Sequence, residues 1–175
     1  MKNLKRSIIL AIVVFSVYAI LALSCATTEY LEKGNISFGK EIDQKTTMDT
    51  IVYVLSEHGF GIQMINESFG LTESDWKQTS DIADNIGTTI LLGTLTGNNT
   101  YYNRYLKLNF RVTETGFTVS PLSNTESQKS NNLMTSSTTS GAKAPTKTSD
   151  EGKFTIAIVD EINSMLKVSG SIIWQ

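Results

Sequence analysis

Cysteine, histidine and proline are nearly missing from this 175-residue sequence, which has one cysteine, one histidine and two prolines. A lone cysteine excludes an internal disulfide, so packing and hydrogen bonds must hold the fold together. It also excludes thiolate-rich zinc sites, and with His58 as the only imidazole any metal site would need carboxylates to complete it. The usual parts of nucleophilic catalysis are lacking too. There is no G-x-S-x-G elbow, no Ser-x-x-Lys in a credible setting and no phosphate-binding glycine loop. No metal, cofactor or catalytic residue is therefore assigned.

Charge is sparse, at 18 % of residues, and three of the fifteen cations (Lys2, Lys5 and Arg6) fall within the first six positions. Without residues 1–24 the chain keeps 12 basic and 17 acidic residues, a net charge near −5. Nowhere do Lys and Arg gather, which excludes nucleic acid as a partner and argues against adhesion to a membrane by charge alone.

Behind those first cations comes an uncharged, mostly apolar stretch, residues 7–23, and then Ser24-Cys25. A positive segment followed by an apolar one has the form of a secretory signal. Leu21-Ala22-Leu23-Ser24-Cys25 resembles the bacterial lipobox, although Ala22 stands where a bulky aliphatic residue is usual. The resemblance implies cleavage between Ser24 and Cys25 and attachment of lipid to the Cys25 thiol. Two alternatives remain at this point. One is an uncleaved anchor, for which 17 helical residues reach about 25 Å, short of a ~30 Å hydrocarbon core. The other is an incidental thiol beyond an ordinary cleavage site. Lipidation accounts for both the position and the solitude of Cys25, and a multi-chain anchor gives durable attachment. The expected organisation is a signal at 1–24, a lipidated tether at 25–35 and a domain at 36–175. Fully extended, the ten residues after Cys25 span about 35 Å, so the domain is held near its membrane.

Within the domain, periodicity predicts a short strand at 36–42. A helix follows at 46–58, with Met48, Ile51, Val52 and Leu55 on one face, Thr46 and Asp49 in capping-box spacing and Gly59 as its stop. From Phe60 the period changes to two, predicting a strand that kinks near residues 68–70 and runs toward Trp76. A polar loop or helical turn is expected at 77–87, then a strand at 88–96 closed by Gly97-Asn98-Asn99. The clearest alternation follows. Tyr102, Leu106, Leu108, Phe110 and Val112 share one face, interrupted by Arg104, while Asn103, Tyr105, Lys107, Asn109, Arg111 and Thr113 share the other. A turn at 114–116 leads into a strand at 117–122, where Pro121 suggests an edge. Residues 123–149 are so rich in Ser, Thr, Asn and Lys that a disordered insertion is expected. The second helix begins with Thr148 and Glu151 in capping-box spacing, carries the stripe Phe154, Ile158, Ile162 and Met165, and stops at Gly170 before a last short strand at 171–174. The order β-α-β-β-β-β-α predicts an α+β domain, an antiparallel sheet of four to six strands with two helices on one face.

The run Gly59-Phe60-Gly61-Ile62, Asn66-Glu67, Gly70-Leu71-Thr72 and Trp76 after a helix resembles small envelope lipoproteins. It is similar to the helix-grip domains of the accessory lipoprotein of the outer-membrane barrel-assembly machine, over about residues 45–122 and the last helix. The resemblance implies a helix-grip arrangement and a scaffold or accessory role beside an envelope protein, with the outer membrane favoured over the inner. It brings no catalytic residues. This chain has one such domain where that family has two.

Three further features are weighed on the residues alone. His58, at the end of the first helix, suits a structural role near the last carbonyls. Glu67, Glu73, Asp75, Asp81 and Asp84 cluster in sequence but lack calcium-loop spacing, and a carboxylate-based hydrolase is the weakest reading of them. Tyr101 and Tyr105, on the polar strand face, together with Trp76 are candidates for a protein-, peptide- or glycan-binding surface, since exposed aromatics anchor such contacts.

Overall fold

A computed structural model describes residues 28–79, 99–131, 134–168 and 172–175. Its elements, in chain order, are β1 (Gly34–Ser37), α1 (Gln44–Glu57), β2 (Ile62–Asn66), a 3₁₀ turn (Glu67–Phe69), β3 (Leu71–Ser74), β4 (Lys77–Gln78), β5 (Asn99–Thr113), β6 (Gly116–Asn131), β7 (Met134–Thr139), α2 (Asp150–Met165) and β8 (Ile173–Trp174). The class is α+β, as expected, but among the described residues the antiparallel sheet already has eight strands and not four to six. Its backbone path is β2-β3-β5-β6-β1-β8, with β4 added beside β5 and β7 beside β6.

α1 starts a few residues earlier than its periodicity suggests because Asp43, not Thr46, is the cap. The Asp43 carboxylate accepts from the Thr46 N–H at 2.9 Å, satisfying a first-turn donor. Gly59 ends the helix as expected, with φ 71° just beyond the last turn. The cap of α2 is Ser149, one residue after the expected Thr148, and its Oγ accepts from the Gly152 N–H at 3.1 Å. The end of α2 comes at Leu166, earlier than Gly170, which lies outside the described residues.

Three expected segments change form. The first is shorter, ending at Ser37 where Phe38 N–H turns to the Thr115 carbonyl at 2.7 Å. The single kinked strand expected after Phe60 is a hairpin: β2 and β3 pair antiparallel around the 3₁₀ turn, which Gly70 closes in the left-handed region at φ 62°. Residues 77–79 are not a loop, because Lys77 and Gln78 pair with Leu106 and Tyr105. The strand expected at 88–96 and its turn at 97–98 lie outside the described residues.

The expectation of a disordered insertion at 123–149 does not hold. Strand β6 runs on to Asn131, paired residue for residue with β5 down to Asn99↔Ser130, and β7 pairs back onto it from Asn131↔Met134 to Glu126↔Thr139. A segment with nothing to bury still satisfies its backbone by joining a ladder that a neighbouring strand extends. Beyond β7, Ser123 and Lys143 exchange backbone hydrogen bonds at 2.7 and 3.0 Å.

The expected tether at 25–35 is also shorter than its sequence suggests. Leu31 N–H donates to the Pro145 carbonyl at 2.8 Å, Lys147 N–H to the Glu29 carbonyl at 2.9 Å, and Glu32 and Lys33 reach the Gln175 carbonyl. Lys147 also pairs with Glu29 at 3.2 Å. The chain is thus part of the fold from Glu29, four residues after Cys25.

One core fills the space between the two helices and one sheet face. Met48, Ile51, Val54 and Leu55 of α1 and Ile158, Val159 and Ile162 of α2 pack on Ile36, Leu106, Leu108, Phe110, Val112, Phe117 and Val119. Phe110 and Phe117 are tilted ring to ring at 6.0 Å, the cross-strand aromatic contact that steadies a sheet. Tyr102, expected on this face, is 50 % exposed. Met165, expected in the α2 stripe, is also exposed. No helix among the described residues is long and apolar enough to cross a membrane.

Candidate functional site

Because α1 and α2 both cover the Leu106–Val112 side, the opposite side of the sheet carries no helix among the described residues. Strand pairing arranges its residues in rows. One row runs Ile173, Asn35, Thr118, Arg111, Leu71 across β8, β1, β6, β5 and β3. The next holds Ser120, Asn109, Glu73 and Met64. Lys107 bridges to Glu73 at 3.2 Å and to Gln63 Oε1 at 2.6 Å, so this cation is committed to tying β5 to the β2–β3 hairpin. Asn109 Oδ1 is buried with no hydrogen-bond partner among the described residues, an arrangement that costs about 1–3 kcal/mol unless something donates to it.

The β1 end of this face is an open groove of about 720 Å³. Lys33 and Arg111 line it together with Asn35, Ser37, Thr113 and Thr118, and no carboxylate does. Among the described residues neither cation has an ion-pair partner, whereas Lys45, Arg104, Lys107 and Lys147 each have one. Donors without a carboxylate among them can hold an anion or a polyhydroxylated group, but they provide no acid–base pair.

Of the residues singled out from the sequence, Ser24 and Cys25 lie outside the described residues. Tyr101 is in β5, paired with Gln128, with its side chain outside those described. Tyr105 is half-buried on the helix-free face and donates to Glu126 at 3.4 Å. Burial first, and then the negative charge and hydrogen bond of Glu126, hold its phenol above the usual value. Trp76 directly precedes β4 and is 41 % exposed.

The His58 ring contacts the second helix, not the last carbonyls of its own. Its Nε2 lies 2.7 Å from Glu161 Oε2, joining the end of α1 to α2, and its ring stands edge-on to Phe154 at 5.4 Å. Lys77 donates to the His58 carbonyl and lies over the Phe60 and Phe154 rings. Of the acidic cluster, Glu67 is bound to Lys45 at 3.5 Å and Glu73 to Lys107, while Asp81 and Asp84 lie outside the described residues. No group of three or more metal-binding side chains assembles among the described residues.

The other notable polar site lies near the start of α2. Arg104, the one interruption of the apolar strand face, reaches Asp150 at 3.1 Å and buried Glu151 at 3.9 Å, beside a cleft of about 320 Å³. Glu151 also accepts from Thr79 Oγ1 at 3.3 Å.

The groove cations escaped sequence reading. Alternation puts Arg111 on the polar face, but nothing local brings Lys33 near it, since their proximity is set by the order β5-β6-β1. A comparison with protein families finds none that matches this chain, and a comparison with curated proteins finds no match either.

Proposed function

We propose that this chain is an exported lipoprotein, tethered through lipid on Cys25 to an envelope membrane, that acts by binding and not by catalysis. The sheet face free of helices is its working surface. The observation that carries this reading is the asymmetry of the sheet: among the described residues two helices cover one side, and on the other Arg111 has no ion-pair partner and lies beside a groove that no carboxylate lines. Such a domain fits a scaffold or accessory role beside an envelope protein, of the kind the helix-grip resemblance implies. With the fold beginning at Glu29, four residues after Cys25, the free tether spans about 14 Å at most. A partner must then lie in or close to the same membrane. Two measurements test the proposal. Fatty-acid labelling should vanish in Cys25→Ala, and persistent labelling would refute attachment there. A photo-crosslinker placed at Tyr105 should capture an envelope protein in cells, whereas one at Lys153, an exposed position on α2, should not; equal capture from both would remove the sheet face as the working surface.

The exposure of Trp76 favours a second reading, a glycan- or peptide-binding module. Under it, replacing Trp76 and Tyr105 together abolishes retention on cell-wall material, and unchanged retention counts against it.

A further inference from the structure

Resting on the helix-free sheet face as the binding surface, we infer that the groove between Lys33 and Arg111 is a site for a phosphate ester. Arg111 is paired with Thr118, Thr118 with Asn35, and Lys33 lies two residues before Asn35 on the same side of the strand. Two strand steps of ~4.8 Å and two residues of ~3.4 Å put the Cα atoms of the two cations about 12 Å apart. Both side chains line the groove, with the hydroxyls of Thr118, Thr113 and Ser37 and the Asn35 amide between and beside them. Lys33 is held in place by backbone hydrogen bonds to Gln175 in both directions, at 3.4 and 3.0 Å.

Two cations lining one groove favour an anion with several acceptor oxygens. A guanidinium engages two oxygens at once and an ammonium a further one, so a tetrahedral phosphate satisfies both heads. A carboxylate can also accept from both heads, but its two oxygens lie in one plane, so the tetrahedral group suits cations on separate strands better. The volume falls within the range of ordinary small-ligand sites, roughly 300–1,000 Å³, leaving room for the alcohol part of the ester against Phe38 and Ile173. The domain's net negative charge does not oppose this, because no carboxylate lines the groove itself. Soluble glycerol phosphate, with three terminal oxygens, presents this chemistry in full, and the phosphodiester headgroup of phosphatidylglycerol, with two, presents it in part.

The test uses the purified full chain in neutral maltoside micelles, titrated with sn-glycerol 3-phosphate, with dihexanoyl phosphatidylglycerol and with acetate, and read by backbone amide shifts. Saturable shifts are expected at Asn35, Thr113 and Thr118. Arg111→Met should weaken binding at least tenfold and Lys33→Met at least threefold, with Lys153→Met unchanged. The amides of Leu108 and Val119 report that each variant is folded. Saturation by glycerol phosphate alone assigns a soluble ester, and tighter saturation by the lipid assigns a headgroup. Acetate saturating at equal concentration, no saturable shift, or unaltered affinity in Arg111→Met would each overturn the site. Crosslinking from Tyr105, read in parallel, separates the two readings. Adducts without a phosphate response overturn the phosphate site alone, and neither adducts nor a response overturns the binding face as well.

Discussion

Three glycines allow the forces at the edges of this fold to be separated by one kind of substitution. Gly70 ends the 3₁₀ turn at φ 62°, and a Cβ there would sit 2.2 Å from the Val112 carbonyl oxygen. Retreat is blocked, because Val112 N–H donates to the Gly70 carbonyl at 2.7 Å and holds the two strands together. Left-handed backbone costs a non-glycine residue about 1–2 kcal/mol. Loosening that hydrogen bond adds about 0.5–1.5 kcal/mol. Gly70→Ala should therefore destabilise by about 1.5–3.5 kcal/mol. Gly59 shares the left-handed backbone, at φ 71°, but its nearest neighbour is the flexible Lys77 Nζ at 3.6 Å. Gly59→Ala should cost only the backbone term, about 1–2 kcal/mol. Gly39 has no atom within 4 Å and no unusual φ, so Gly39→Ala should change stability by no more than about 0.5 kcal/mol. Urea unfolding of the full chain in micelles measures the series, and Gly70→Ala should lower the midpoint by on the order of 1 M at unchanged slope. The reasoning fails if Gly70→Ala costs no more than Gly59→Ala, or if Gly39→Ala costs as much as either.

Other outcomes follow from the core and from Tyr105. Leu108→Ala removes a fully buried side chain beneath both helices and should cost about 2–5 kcal/mol, whereas Tyr102→Ala on the same strand face should cost less than about 1 kcal/mol, both read by urea unfolding. The Tyr105 phenol, held above its usual value, binds its proton more tightly folded than unfolded. Its contribution to stability is then intact below the unfolded value of about 10 and is lost as pH rises through the folded one. Ultraviolet titration should find Tyr105 ionising late. Glu126→Gln should bring it partway back toward the usual value, because burial, the larger cause, remains; no movement would show that Glu126 is not felt there.

How far the sequence could be read depended on whether each element is specified by its own residues or by its neighbours. α1 announces itself through Met48, Ile51 and Leu55, and the buried half of β5 through Leu106, Leu108, Phe110 and Val112, because each buries a face with a fixed period. The far half of β6, residues 123–131, has no such face. It is a strand because β5 offers it an unbroken row of hydrogen-bonding partners, and β7 is one because β6 does. The Gly70 hairpin was misread as a kink since alternation continues on both sides of the turn, while only the pairing reveals the reversal. The candidate site divides in the same way. That Arg111 and Tyr105 lie on the polar face is a local property of β5 and was legible. That Lys33 joins Arg111 depends on a strand more than seventy residues away in sequence and was not.

The anchoring of residues 29–37 has a mechanical consequence. A pull on the chain from its amino-terminal side enters the domain along β1, whose hydrogen bonds to β6 and β8 lie across the line of force. Loaded this way, the bonds share the tension and yield together, as in a lap joint, where a hairpin pulled from its open end would unzip one rung at a time. The Glu29–Lys147 pair and the Leu31–Pro145 hydrogen bond take the load before it reaches the sheet. A load applied from that side would therefore pass into the sheet as a whole, instead of unravelling the domain strand by strand from its amino-terminal edge.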